Sequence, residues 1–187
     1  MHRAPLLQLL ERYLARFPAD RVRVDHVRQF VRVHPDCFER SCVEGHITGS
    51  AWILSSDHRQ VLLCHHRKLD RWLQLGGHAD GDSAPARVAL REAQEESGLT
   101  RFTAWPGLDG MPLDVDVHII PARGDEPAHL HHDIRYLLVA APGQPLQVSH
   151  ESNELRWVER DRLEQFATEE SLVRMERKTR ALLAAAP

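Results

Sequence analysis

Residues 75–99, LGGHADGDSAPARVALREAQEESGL, constrain this chain more than any other segment: the end of a strand, two glycines, a polar loop, then an amphipathic helix. On a helix Glu92, Glu95 and Glu96 are three and four positions apart, so their carboxylates leave one face within a single turn. They repel one another there. They also stand toward the C-terminal end, where the helix dipole disfavours negative charge. Clustered acids are common on solvated helix faces, but this cluster follows a tight Gly-Gly turn out of a strand and calls for a compensating cation. Carboxylate oxygens grouped in this way suit Mg²⁺ or Mn²⁺, which keep several waters and bridge to phosphates. That is a geometry for hydrolysing a phosphate ester or diphosphate: the ions neutralise phosphate oxygens and acidify a water, and a carboxylate takes its proton.

The length, 187 residues, fits one globular domain with a real core. Lys plus Arg number 24 against 27 Asp plus Glu, a formal charge of -3, so bulk electrostatics offers no attraction for nucleic acid or an anionic membrane. Neither a stable nucleic-acid complex nor a membrane partner is expected. Any polyanionic substrate must be held locally. Cys37, Cys42 and Cys64 are an odd number in a chain long enough to stand without staples, which points to free thiols, a reducing compartment and a cytoplasmic location. Gln8, Glu11 and Arg12 interrupt the apolar N-terminal run, and no stretch approaches the roughly 18 apolar residues of a membrane span.

Apolar spacing predicts a helix over residues 4–16 and a second over about 20–34, stopped by Pro35. GSAWILSS and QVLLCHH then read as a hairpin about Asp57-His58-Arg59, and RWLQL as a third strand leading into Gly76-Gly77. The carboxylate helix starts near Ser83, with Pro85 in its first turn and Gly98 at its C-terminal cap. PLDVDVHIIPAR, DIRYLLVAAP and NELRWV supply later strands, and a long helix runs from Asp161 to about Ala184. The expected fold is mixed α/β, with residues 1–43 a helical extension packed on a core of residues 44–187.

The carboxylate segment resembles the Nudix box, G-x5-E-x7-R-E-U-x-E-E-x-G-U with U aliphatic, at Gly77, Arg91, Glu92, Ala93, Glu95, Glu96, Gly98 and Leu99. Its six strictly specified matches coincide at a given start roughly once in 10⁷. Ser83 stands where the family has its first glutamate, which leaves Arg91 without its usual partner unless Asp82 replaces it. The run Gly77-His78-Ala79-Asp80-Gly81-Asp82 is similar to a subgroup with a GGHxDGD loop and an N-terminal helical extension. The resemblance covers about residues 44–165. It implies a Nudix fold, a mixed β-sheet sandwiched between helices, and hydrolysis of a nucleoside diphosphate linked to another moiety, with Mg²⁺ or Mn²⁺ on Glu92, Glu95, Glu96 and the Gly76 carbonyl. It also implies a general base drawn from the box, Glu92 or Glu96, or from a later loop, where Glu151 precedes the strand carrying Trp157.

His78 and Asp80 crowd the loop beside the glutamates and are expected to contact substrate, although His-Asp-Gly-Asp is also ordinary turn chemistry. His129, His131 and Asp133 share one side if their segment is extended, and could ligate a metal or contact a phosphate or base; His131 and Asp133 join the substrate set. Cys37 and Cys42 are too few for zinc unless the fold brings histidines to them, and Trp52, Trp72, Trp105 and Trp157 read as core or rim packing. The expected partner is a small diphosphate molecule, a nucleotide derivative, with a homodimer allowed. Two alternatives stand beside the hydrolase: an enzyme like isopentenyl-diphosphate isomerase, for which Cys64, His65 and His78 supply residue types, and a non-catalytic ligand-sensing module.

Overall fold

The computed structural model describes residues 2–125, 127–150 and 152–185. The first two amphipathic segments form α1 (Ala4–Arg16) and α2 (Arg21–Val33), joined by a 3-10 turn at Pro18–Asp20. Each buries one apolar stripe, Leu6, Leu10, Tyr13 and Leu14 on α1 and Val24, Val27, Phe30 and Val31 on α2. Among the described residues the strands are β1 (Gly45–Leu54), β2 (Gln60–His66), β3 (Arg71–Leu73), β4 (Leu75–His78), β5 (Phe102–Ala104), β6 (Asp114–Ile120), β7 (His129–Ala140) and β8 (Ser152–Glu159). The carboxylate helix is α3 (Pro85–Ser97), and α4 (Glu170–Ala184) follows the last strand.

All the strands join one mixed sheet, in which β1 and β7 run parallel and the other pairs antiparallel. β7 lies along the whole of β1, whereas the opposite edge of β1 is shared: Ile53 and Leu54 pair with β2, and Thr48 to Ala51 pair with β4. Helices cover both faces. Ile47, Ala51 and Ile53 of β1 pack in one cluster with α1, α2 and α3, while Trp52 and Leu54, on the alternate face, pack with Leu172, Met175 and Leu182 of α4.

Several boundaries differ from the sequence reading. RWLQL is two strands, because the chain leaves β2 after Leu73 and joins β1 from Leu75. Gly76 and Gly77 therefore lie inside β4 instead of forming a turn. The C-terminal helix begins at Glu170, since Arg160–Gln165 is a 3-10 segment that buries Leu163 before the chain turns. Gly98 does cap α3, with φ at +71° and its N–H donating to the Gln94 carbonyl. No helix among the described residues is long and apolar enough to cross a membrane.

Candidate active site

The site grows from the contact between α3 and β4. A Cβ on Gly77 would stand 2.5–2.7 Å from the carboxyl atoms of Glu92, so that carboxylate is seated on bare glycine backbone. Gly49 serves the helix likewise on the neighbouring strand: a Cβ there would meet the Pro85 carbonyl at 2.6 Å and Val88 at 2.8 Å, so glycine lets α3 lie directly on β1. The Gly76 N–H donates to Glu96 Oε2 at 3.0 Å. Two box carboxylates are thereby clamped to the glycine strand.

Exposure grades the acids. Glu96 is buried, the Glu92 side chain is 16% exposed and the Glu95 side chain 63%. Arg91 donates to Glu92 Oε1 and to the His78 carbonyl, both at 2.7 Å, and its Nε lies 3.9 Å from Glu95. Of the two alternatives for Arg91, replacement of its partner by Asp82 is not what forms: Asp82 accepts from Arg87 and from the Ala84 N–H, and Arg91 is braced by Glu92 instead. The donor set of anionic oxygens beside the glycines of β4 fits a hard divalent ion. The three glutamates do not converge on one point, however; among the described residues the groups with three ligand atoms within 4.8 Å of one another are His46, His129 and His131, and His34, Asp36 and Cys42.

Of the residues expected to meet substrate, His78 and His131 come together, whereas Asp80 and Asp133 are engaged by arginines. Asp80 forms a two-pronged ion pair with Arg40, at 2.5 and 2.7 Å, and this hydrogen bonding holds its carboxyl below the usual range. Since side chains alternate along β4, Gly77 faces α3 and His78 faces away from it, with its ring 4.8 Å from His46 and 5.0 Å from His131. Asp133 is buried, and its oxygens accept from Thr48, Ser50, Gln74 and Arg135. It is an interior ion-pair partner of Arg135, not a group presented to a ligand. Glu151 lies outside the described residues. His46 was not distinguishable in sequence from any lone histidine before a strand; only the pairing of β1 with β7 puts it opposite His131.

Cys64 is buried on the α3 side of the sheet. Burial first, and then the nearby Glu96 charge, push its thiol up to about 12. It is a thiol at neutral pH, which gives no support to the reactive cysteine that the isomerase reading needs. Trp52 is fully buried, as the packing reading expects.

The model of the NUDIX domain family matches residues 46–178, most of the chain. The chain belongs to the Nudix hydrolase family. The family match supports a pyrophosphohydrolase, and enzymes of this family generally use divalent metals. The Nudix fold is shared with solved structures. A C. elegans Ap4A hydrolase, in a binary complex, aligns with TM-score 0.60 and 20% identity over 75% of this chain and 98% of its own. A NUDIX family hydrolase from Clostridium perfringens gives 0.56 and 24% over 73% and 97%. The E. coli dihydroneopterin triphosphate pyrophosphohydrolase gives 0.53 and 12% over 74% and 96%. No curated protein sequence matches the chain.

Proposed function

We propose that this Nudix hydrolase cleaves a diphosphate linkage in a nucleotide derivative, with Mg²⁺ or Mn²⁺ held by Glu92, Glu95, Glu96 and the Gly76 carbonyl. The observation that carries the reading is the clamping of Glu92 and Glu96 on the Gly76–Gly77 strand. Bound divalent ions would neutralise the diphosphate oxygens and lower the pKa of the attacking water.

The chain's own residues do the rest. Arg91 fixes the orientation of Glu92, and the Gly76 N–H keeps a carboxylate oxygen of Glu96 at the strand, where a bound ion would draw the carboxylates together. Glu92 and Glu96 are the catalytic carboxylates of the box, and Glu151 is the downstream residue proposed to take the proton. Asp80, with its partner Arg40, stands at the loop beside them, where a guanidinium can turn from carboxylate to phosphate. The substrates in the relatives' names, Ap4A and dihydroneopterin triphosphate, share the polyphosphate chain that such a site takes.

The reading is tested by Glu96→Gln, which removes one anionic oxygen and keeps the shape. We expect loss of Mg²⁺-dependent turnover with an unchanged circular-dichroism spectrum; rates like those of the wild type would refute the role. The substrate follows from a screen of nucleoside diphosphate derivatives, dinucleoside polyphosphates and modified nucleoside triphosphates with each ion, products being identified by mass.

A further inference from the structure

On the face of the sheet turned away from α3, neighbouring strands carry a row of imidazoles. His46 of β1 pairs in register with His131 of β7, and His131 with His118 of β6. His129 lies two residues before His131 on the same side of β7. The ring of His46 is 4.9 Å from that of His129 and 4.8 Å from that of His131, and the latter two are 5.2 Å apart.

We propose that His46, His129 and His131 form a nitrogen-donor site for a borderline transition-metal ion of the Zn²⁺ class, separate from the carboxylate site across the sheet. One ligand nitrogen from each lies within 4.8 Å of the others. Tetrahedral Zn²⁺ with bonds of about 2.0–2.1 Å needs its nitrogens roughly 3.3 Å apart, a difference that small χ rotations close. His129 Nδ1 donates to the Pro127 carbonyl at 3.0 Å, which puts the lone pair on Nε2. That is the bond by which proteins set the tautomer of a metal-binding histidine. His131 Nε2 is buried and has no hydrogen-bond partner among the described residues. His78 is the nearest further donor, 4.8 Å from His46 and 5.0 Å from His131 between ring centres.

All-imidazole donors select against Mg²⁺, which prefers oxygen, and so separate this site from the box. The test uses tag-free, full-length protein stripped with a chelator and titrated with Zn²⁺ in excess Mg²⁺, then with Co²⁺ as a visible probe. One equivalent of Zn²⁺ should bind, and Co²⁺ should give the intense visible bands of a tetrahedral site. His131→Ala and His129→Ala, each shown folded by circular dichroism, should weaken Zn²⁺ binding about tenfold or more. Glu96→Gln and Cys42→Ser should leave it unchanged, the latter because Cys42 belongs to the other cluster, with His34 and Asp36. Displacement of Zn²⁺ by Mg²⁺, wild-type affinity in both histidine variants, or loss of binding in Cys42→Ser or Glu96→Gln would each overturn the proposal.

Discussion

Gly77 is where one hydrogen atom in place of a methyl decides the geometry of the carboxylates. A Cβ there would stand 2.5–2.7 Å from the Glu92 carboxyl, closer than any real contact, and β4 is held on its other side by pairing with β1. The carboxylate must therefore swing away. Gly77→Ala should keep the fold but lower kcat by about 100-fold, the scale of a catalytic group misplaced by an ångström. Steady-state kinetics beside a circular-dichroism spectrum checks it, and an unchanged kcat would remove Glu92 from the proposed site. The placement of the three glutamates on one helix was legible because it lies in local spacing. His46 and Asp133 were not, because theirs depends on partners brought from afar: Asp133 accepts from Ser50, 83 residues earlier, and His46 meets His131 only across β1 and β7. No period in the chain announces such pairs.

At the scale of elements, α1, α2 and α3 could be read because each carries a single apolar stripe, with Pro35 and Gly98 marking where the latter two stop. α3 ends on Gly98 with φ at +71°, and a Cβ there would also meet Gln147 at 2.7 Å. Gly98→Ala should cost about 1–3 kcal/mol through backbone strain alone, lowering Tm by roughly 2–4 °C for each kcal/mol. A urea titration of both proteins measures it, and equal midpoints would show that the cap carries no strain. The misread elements share a cause. Leu163, Phe166 and Ala167 keep helical spacing, yet Arg160 turns back to pair with Glu176 and residues 160–165 stay a 3-10 segment. In RWLQLGG the apolar letters continue across Gln74, so nothing local marks the place where the strand changes neighbours. Asp114 and Asp116 alternate with valines as solvent-facing residues would, yet both are buried, because Arg135, Arg174 and Lys178 arrive from β7 and α4 to meet them.

Those charges tie the whole molecule together. Lys178 of α4 donates to Asp114 at 2.7 Å, to the Tyr13 hydroxyl at 2.6 Å and to Asp20, while Tyr13 also donates to Asp20. The helical segment we propose as an extension is thus bound to the last helix by a buried ion pair at Asp20, while its apolar stripes pack on the opposite face of the sheet from α4. Burial alone would raise the Asp20 pKa, but hydrogen bonds from Lys178 and Tyr13 and the charges of Lys178 and Arg23 outweigh it and hold the carboxyl below 3.8. A depressed folded-state pKa means that the unfolded chain binds protons first as the solution is acidified. The stabilisation from Asp20 is therefore present above about pH 4 and is lost as pH falls through the folded value. Asp20→Asn should destabilise the protein by about 3 kcal/mol near neutral pH, because it leaves the Lys178 charge short of a partner in the interior. The same variant should also lose less stability than the wild type between about pH 4 and pH 2, since it no longer has this proton to take up. Denaturant melts of both proteins across that range measure the two effects together. Parallel stability curves would show that the ion pair does not hold the N-terminal helices to the C-terminal one.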